Sequence, residues 1–463
     1  MFAATFLLAQ IPAPIRVTTQ LVEVDVVVRD KNGPVTGLQV DDFILHDRGR
    51  MQKIAVFHSS SSRSEHTVPL APGEFTNRPR NADASQHAIA IVWDHLNSDF
   101  GDAAVTRGQV LKALGQIQTN DRVCLYALDS DLRVIQDFTS DSSMLVEALK
   151  KYREEKVARP LDVPLLEIAD AGDPRIAALF MEINADLTAK SAAYRGERTA
   201  AAVRAIANHL AGVPGRKSVI WMASEIPSAA AVLVNAGIAV YPVDLGGTSP
   251  TSPQTTRFER IIARQSGGIA FVHSNVRGAI DRAMKDSESG YTLGFYPDRA
   301  PDRINALKIE VKGRGLEVGY RNVYSGIAQS ESTRANEIAA TLKSPLEATQ
   351  ISLNARLSKQ GEGWSVALEL DPAELTLENH DRGWTGGLDI ALRQATVEGL
   401  VLLTTMTTAS LAFDEGRYHM FLSKKHVVNL TIPDPKPALA SIRLVVADRV
   451  SGRIGSIVIP IPR

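Results

Sequence analysis

Carboxylate side chains stand where apolar runs of this sequence break into polar loops. Each follows a short run rich in branched side chains: Asp94 ends HAIAIVWD, Glu225 follows SVIWMA by one residue, and Asp244 follows IAVYPV. Ser98 comes four residues after Asp94. Converging carboxylates and hydroxyls can hold a divalent cation, or can activate water on that cation for hydrolysis. They can also present a polar surface to a partner.

The elements that must bring these residues together are strands that alternate with helical stretches. Strands are predicted at His87 to Asp94, Arg122 to Leu128, Ser218 to Ala223, Ile238 to Val243 and Ile269 to Val272. Such alternation is typical of a doubly wound, mostly parallel sheet with helices on both faces. Because ligands of these sheets bind at the carboxyl ends of the strands, the three carboxylates are predicted to share one edge.

Two local patterns refine this α/β domain. Only Asp129-Ser130-Asp131 separates Arg122 to Leu128 from the apolar run Leu132 to Ile135, which predicts an antiparallel hairpin. Apolar residues recur at helical spacing from Pro174 to Leu210, so this stretch is predicted to form one long helix. Thr199 would then be a mid-helix side chain away from the strand-end pocket, unless the helix breaks near Gly196.

The flanking segments read as β-structure and linkers. Residues Leu21 to Val28 alternate apolar and acidic side chains, and period-2 patterns fill the chain after Ala348. The predicted organisation is a signal segment over 1–15, a β unit over 16–58, a linker over 59–86, the α/β domain over 87–290, its β extension over 291–325, a second linker over 326–347 and a β-sandwich over 348–463.

Composition narrows the classes of partner. The chain has 463 residues, 44% of them hydrophobic, and a formal net charge of −1 that disfavours nucleic acid as a partner. No apolar run reaches the roughly 20 residues that span a bilayer. The first ten residues, MFAATFLLAQ, contain the apolar stretch of a signal peptide without its usual basic start. The sequence therefore predicts a periplasmic or extracellular protein, with a truncated or misassigned start as the alternative.

Several motifs in this order resemble a known family. They are the Asp-ended first strand, the hairpin after Asp121-Arg122-Val123, Pro214-Gly215-Arg216-Lys217 before a strand, and the segments VYPVD and YTLGFYP. Together they resemble the von Willebrand factor A-related proteins common in acidobacteria. The resemblance implies a von Willebrand factor A-type sheet between an N-terminal β unit and a C-terminal β-sandwich, and export from the cytoplasm.

The resemblance also implies a metal site, which this sequence matches in part. The family binds a divalent cation through an Asp-x-Ser-x-Ser loop, a threonine and a further aspartate. Asp94 and Ser98 match the ends of that loop, whereas Leu96 replaces the middle serine and Glu225 stands where the further aspartate is expected. Fewer hard oxygen ligands weaken Mg²⁺ binding. A degenerate site is predicted, which binds no cofactor or holds Mg²⁺ weakly through Asp94, Ser98 and Glu225.

These observations favour a non-enzymatic binding function. The sequence contains no phosphate-binding loop, nucleophile elbow or His-Glu-x-x-His motif. The expected function is protein binding, adhesion or scaffolding at the cell envelope or exterior, with an unidentified protein partner. The partner-binding surface would comprise Asp94, Ser98, Glu225 and Asp244. The alternatives are a divalent-metal-dependent hydrolase that uses Asp94, Glu225 and Asp244, and a purely structural multidomain protein.

Overall fold

The fold is that of a computed structural model of the chain. The structure describes residues 21–59, 70–78, 87–98, 103–115, 117, 122–153, 174–224, 226–245, 253–272, 274–298, 304–325, 331–361, 363–380, 383–432 and 439–462. The predicted signal segment over 1–15 and the side chain of Glu225 lie outside these residues.

Strands outnumber helices along the described chain. The strands are β1 (Val22–Asp30), β2 (Gly33–Pro34), β3 (Phe43–Asp47), β4 (Arg50–Gln52), β5 (Val56–Ser59), β6 (Glu74–Thr76), β7 (Ala88–Asp94), β8 (Arg122–Leu128), β9 (Leu132–Thr139), β10 (Lys217–Ala223), β11 (Ala239–Asp244), β12 (Gly290–Phe295), β13 (Asn305–Val311), β14 (Glu317–Tyr320), β15 (Val323–Tyr324), β16 (Leu353–Gln360), β17 (Gly363–Leu370), β18 (Glu378–His380), β19 (Gly383–Ala395), β20 (Val401–Phe413), β21 (His426–Ile432), β22 (Ser441–Asp448) and β23 (Ile454–Pro460). The helices are α1 (Ala103–Leu114), α2 (Ser142–Lys151), α3 (Pro174–Ala211), α4 (Ala231–Asn235), α5 (Pro253–Ser266), α6 (Val276–Glu288), α7 (Glu331–Lys343) and α8 (Glu415–Leu422).

The central sheet is the doubly wound α/β sheet that the sequence predicts. Its strand order is β11-β10-β7-β8-β9, and every pairing is parallel except that of β8 with β9. All seven residues of β7 are buried, because separate apolar cores cover the two faces of the sheet. The predicted strand Ile269 to Val272 is reduced to one parallel bridge between Val243 and Phe271.

The predicted hairpin and the predicted long helix of the α/β domain are both confirmed. The strands β8 and β9 pair antiparallel around the Asp129 to Asp131 turn. The helix α3 is continuous for 38 residues and passes through Gly196 without a break. Its residues from Thr199 onward pack on the sheet, whereas most of the side chains described between Ala178 and Arg198 are exposed. One half of α3 therefore anchors the helix and the other half projects from its packed part.

The segment predicted as a β extension of the α/β sheet pairs elsewhere. The strand β12 pairs antiparallel with β1, and β13 pairs antiparallel with β3. Two sheets result, β14-β1-β12-β5 and β15-β13-β3-β4, with one shared apolar core. Residues 291–325 thus complete an N-terminal β-sandwich, because the alternating strand Val22–Asp30 needs a second sheet to bury its apolar face.

The C-terminal region also differs in detail from its prediction. Its strands form the sheets β21-β17-β16-β6 and β18-β19-β22-β23, with β20 on the outer edge of β19. The predicted linkers contribute structure: β6 pairs with β16, and α7 buries Ile338 and Leu342 against β22 and β19. The short helix α8 interrupts a region predicted to contain strands alone. No helix among the described residues is long and apolar enough to cross a bilayer.

Candidate functional site

Asp94 is the centre of the strand-end site, and its carboxylate is fully buried. It is the last residue of β7, where the parallel sheet brings loops together. Its Oδ1 accepts the backbone N–H of Asn97 at 2.9 Å. Its Oδ2 accepts the Asn97 side-chain amide at 2.8 Å and the indole Nε1 of Trp221 at 3.0 Å. N–H donors thus hold both carboxylate oxygens, so Asp94 fixes the turn that follows it.

Thr199 belongs to this site, contrary to the prediction. Its hydroxyl oxygen accepts the second N–H of the Asn97 amide at 2.9 Å, and its side chain is buried. The prediction assumed that only a break in α3 could turn Thr199 toward Asp94. Instead, the unbroken helix packs beside the loop so that the face carrying Thr199 points to Asn97. The Asn97 amide group therefore bridges the carboxylate of Asp94 and the hydroxyl of Thr199.

This arrangement fits a divalent cation poorly. Three N–H groups point at the Asp94 carboxylate and one points at the Thr199 hydroxyl, and the Asn97 amide lies between the two groups, where a shared cation would have to sit. The Ser98 hydroxyl donates to the backbone carbonyl of Asp94 and accepts the backbone N–H of Ser224 at 3.3 Å. The polar groups that resemble a metal loop are thus satisfied by protein donors and acceptors.

The other predicted site residues have separate positions. Glu225 lies outside the described residues. Asp244 is buried at the end of β11, which β10 separates from β7 in the sheet order. Its backbone N–H donates to the carbonyl of Phe271 at 2.9 Å. Because Asp94 is buried, it cannot itself touch a partner, and any contact surface at this edge is made by the loop that it holds.

Sequence reasoning missed Asn97 and Trp221. Asn97 lies inside the loop between Asp94 and Ser98, where its side chain is a natural partner for the carboxylate three residues earlier. Trp221 lies on the buried strand β10, and a buried indole N–H normally finds an acceptor. The local part of this network was therefore accessible from sequence, whereas the pairing of β10 with β7 that aims Trp221 at Asp94 depends on the sheet.

Burial and hydrogen bonding shift the pKa of Asp94 in opposite directions. Burial raises the pKa of Asp94 to about 6, although the N–H donors of Asn97 and Trp221 favour the charged form. The folded protein therefore binds this proton more tightly than the unfolded chain does. The contribution of Asp94 to stability is greatest below pH 4, falls as pH rises from about 4 to 6, and stays low above pH 6.

The raised pKa of Asp94 predicts a measurable pH dependence of stability. The difference in unfolding free energy between the wild type and Asp94→Asn should fall by about 2 kcal/mol between pH 4 and 6, at ~1.4 kcal/mol per pKa unit, because part of the titration lies outside this range. Urea denaturation at half-unit pH steps measures it. Asp141→Asn is the control, because hydrogen bonds from Ser143 lower the pKa of exposed Asp141 and its difference should stay flat in this range. A flat difference for Asp94→Asn would contradict the raised pKa.

Comparisons with known proteins give low similarity throughout. No protein family model matches the chain, and no curated protein matches it. An aerotolerance-related membrane protein from Bacteroides fragilis is a structural match at 14% identity, covering 43% of this chain and 98% of its own, with a TM-score of 0.27. A von Willebrand factor type A protein from Catenulispora acidiphila has 9% identity, covers 89% of this chain and 78% of its own, and has a TM-score of 0.28. The pilus adhesin SpaC from Lactobacillus rhamnosus GG has 10% identity, and the match covers 90% of this chain and 58% of the adhesin, with a TM-score of 0.26.

Proposed function

We propose that this protein is a non-enzymatic protein-binding or scaffolding protein of the cell envelope or exterior, which acts through a von Willebrand factor A-like domain. The observation that carries the proposal is the loop from His95 to Ser98, which is held at the carboxyl edge of the sheet by a buried carboxylate. Loops at this edge form the binding sites of open α/β sheets. The Asn97 amide, which lies between Asp94 and Thr199, supports a role in holding the loop.

An exposed apolar stretch on α3 supports protein binding at the same edge. Met181 is 57% exposed and Ile183 is 37% exposed on the projecting half of the helix. The helix continues from there to Thr199, which touches the Asp94 loop through Asn97. Because Met181 and Ile183 lie two positions apart, they point to different sides of the helix, and each marks a separate candidate contact. The proposed surface therefore comprises the His95 to Ser98 loop and the projecting half of α3.

Partner capture tests this proposal. Purified full-length protein would be incubated with cell-envelope extract, and bound proteins would be quantified by mass spectrometry. Met181→Glu and Ile183→Glu should each reduce specific capture at least about tenfold, because a charge is buried in the contact. Met420→Glu is the matched control, since Met420 is equally exposed on α8 in the C-terminal sandwich. Capture should persist in EDTA.

Two outcomes would contradict the proposal. Capture that is reduced equally by Met420→Glu would show that binding is nonspecific. Capture that is lost in EDTA and restored by millimolar Mg²⁺ would show that a cation reorganises the Asn97 network and that binding depends on metal.

A further inference from the structure

A cavity lies at the opposite end of the α/β sheet from Asp94. Arg122 is the first residue of β8 and pairs with Ala88 at the amino ends of the parallel strands. The cavity has a volume of about 380 Å³ and lies between the α/β domain and the C-terminal sandwich. Its lining includes Arg122, Phe138 and His209 from the former and Phe75 and Val458 from the latter. This site is independent of the function proposed above.

The guanidinium of Arg122 is buried, and no described residue forms an ion pair with it. Arg122 is 3% exposed, and its Nε and Nη2 have no hydrogen-bond acceptor among the residues that the structure describes. These two nitrogens form the edge of the guanidinium that grips a carboxylate with two parallel N–H groups. In Arg29 of the same protein, that edge holds Asp286. The equivalent edge of Arg122 is therefore available to an acidic ligand.

Among the described residues, no acidic side chain of the cavity forms an ion pair with Arg122, although the charge of Asp137 acts on it from a distance. Asp137 accepts the backbone N–H of Phe138 at 2.7 Å, and its side chain is 68% exposed. Glu347 accepts the backbone N–H of Val458 at 2.7 Å. The ring of Phe138 lies 5.5 Å from the guanidinium carbon of Arg122 and covers one face of the cation. An ion pair formed with Arg122 would be shielded from bulk water, which strengthens it.

His209 supplies a complementary acceptor. Its Nδ1 lies 2.8 Å from the backbone carbonyl of Glu347, so Nδ1 carries the proton that is donated there. Burial lowers the pKa of His209, which keeps the ring neutral and leaves Nε2 as an acceptor. This Nε2 has no hydrogen-bond partner among the described residues. The His209 ring stacks on Phe138 with centroids 5.7 Å apart, which places the acceptor beside the Arg122 pocket.

We propose that this cavity binds an α-acylamino carboxylate, in which the carboxylate pairs with Nε and Nη2 of Arg122 and the neighbouring amide N–H donates to Nε2 of His209. The aromatic rings of Phe75 and Phe138 would contact the side chain of the ligand. Two sources carry this chemistry: a free N-acylated amino acid and the carboxyl-terminal residue of a peptide. The volume matches the lower end of small-ligand pockets.

A stability measurement tests whether Arg122 is reserved for a ligand. Without ligand, Arg122→Met should leave the melting temperature unchanged or raise it, because it removes an uncompensated buried charge. Asp137→Asn should also leave it unchanged. If both variants lower the melting temperature by similar amounts, Arg122 and Asp137 form a structural ion pair in solution, and the proposal is overturned.

Ligand titration tests the chemistry of the site. N-acetyl-L-leucine should bind in calorimetry and shift the amide signals of residues 122 and 138. N-acetyl-L-leucinamide has the same shape without the charge, and it should bind at least about tenfold more weakly. Arg122→Lys should weaken binding about tenfold because lysine lacks the parallel N–H groups. His209→Phe should weaken it by a smaller factor, since it removes a neutral hydrogen bond.

A comparison of two ligands distinguishes a free N-acylated amino acid from the carboxyl-terminal residue of a peptide. If N-acetyl-Gly-Gly-Leu binds as tightly as N-acetyl-L-leucine, the site accepts peptide ends; if it is excluded, the site takes free acylated amino acids. Either result supports the site. No binding of N-acetyl-L-leucine, equal binding of its amide, or undiminished binding by Arg122→Met would overturn it.

Discussion

Replacing Asp286 with alanine is expected to lower the free energy of unfolding by about 3–5 kcal/mol, because it leaves a buried arginine without its counterion. Asp286 is fully buried on α6 and accepts Nε of Arg29 at 2.8 Å and the hydroxyl of Tyr241 at 2.7 Å. Arg29 lies on β1 and is 5% exposed. The pair therefore joins the N-terminal sandwich to the α/β domain. Urea denaturation of the purified variant measures the loss.

A surface pair on the same helix provides the control for Asp286. Asp281 lies 3.7 Å from Arg277, and both side chains are about half exposed. Asp281→Ala should cost less than about 1 kcal/mol, since water screens such pairs. Arg29→Met combined with Asp286→Leu should recover much of the stability lost in Asp286→Ala, because it removes both charges together. Equal small losses for Asp286→Ala and Asp281→Ala would show that Arg29 reaches water when its partner is removed.

The α/β domain was predictable because its signals are local. A three-residue turn at Asp129 to Asp131 leaves an antiparallel hairpin as the available connection. Apolar residues at helical spacing predict α3 over nearly its whole length, since the pattern repeats across many turns. Runs such as β7 show no alternation because both faces of the strand are buried. In each case a short stretch of sequence contains the physical cause.

The pairing of distant strands was not predictable in the same way. The strands β1 and β12 lie about 270 residues apart, and the period-2 pattern of each fits several partners equally well. The short strand β6 sits in a polar stretch because backbone hydrogen bonds to β16 need no apolar pattern. Helix α7 has few apolar residues, and only its contact with the sandwich shows why Ile338 and Leu342 are buried.

The contacts of the candidate site also divide into local ones, which the sequence predicts, and long-range ones, which it does not. Asp94 was identified from its position at the end of a strand and Ser98 from the loop that the family resemblance implies, and the bond from Asn97 back to Asp94 is local. Thr199 is 102 residues from Asn97, and its contact depends on how α3 packs beside the loop. A helix prediction fixes which residues share a face, but it does not fix the rotation of that face against the sheet.

Substitution of Asn97, whose amide lies between Asp94 and Thr199, tests the predicted degenerate metal site. Asn97→Asp replaces an N–H₂ group that faces Asp94 and Thr199 with an oxygen that repels the Asp94 carboxylate. The hydrogen bond to Asp94 is lost and the Thr199 hydroxyl must reverse to act as donor, so without metal the unfolding free energy should fall by about 1–3 kcal/mol. The same change supplies the hard oxygen that the loop lacks, next to Asp94 and Thr199.

Magnesium should therefore stabilise Asn97→Asp but not the wild-type protein. At a Mg²⁺ concentration one hundred times its dissociation constant, the variant should regain about 2.7 kcal/mol. Asn97→Ala is the matched control, because it loses the Asn97 amide without gaining a ligand oxygen, and its melting temperature should not respond to Mg²⁺. Thermal unfolding of the three proteins with Mg²⁺ or EDTA decides the matter. A Mg²⁺-dependent rise for the wild type would mean that Asn97 yields to the cation, whereas no rise for Asn97→Asp would mean that Leu96 and the packing of α3 close the site even when the oxygens are present.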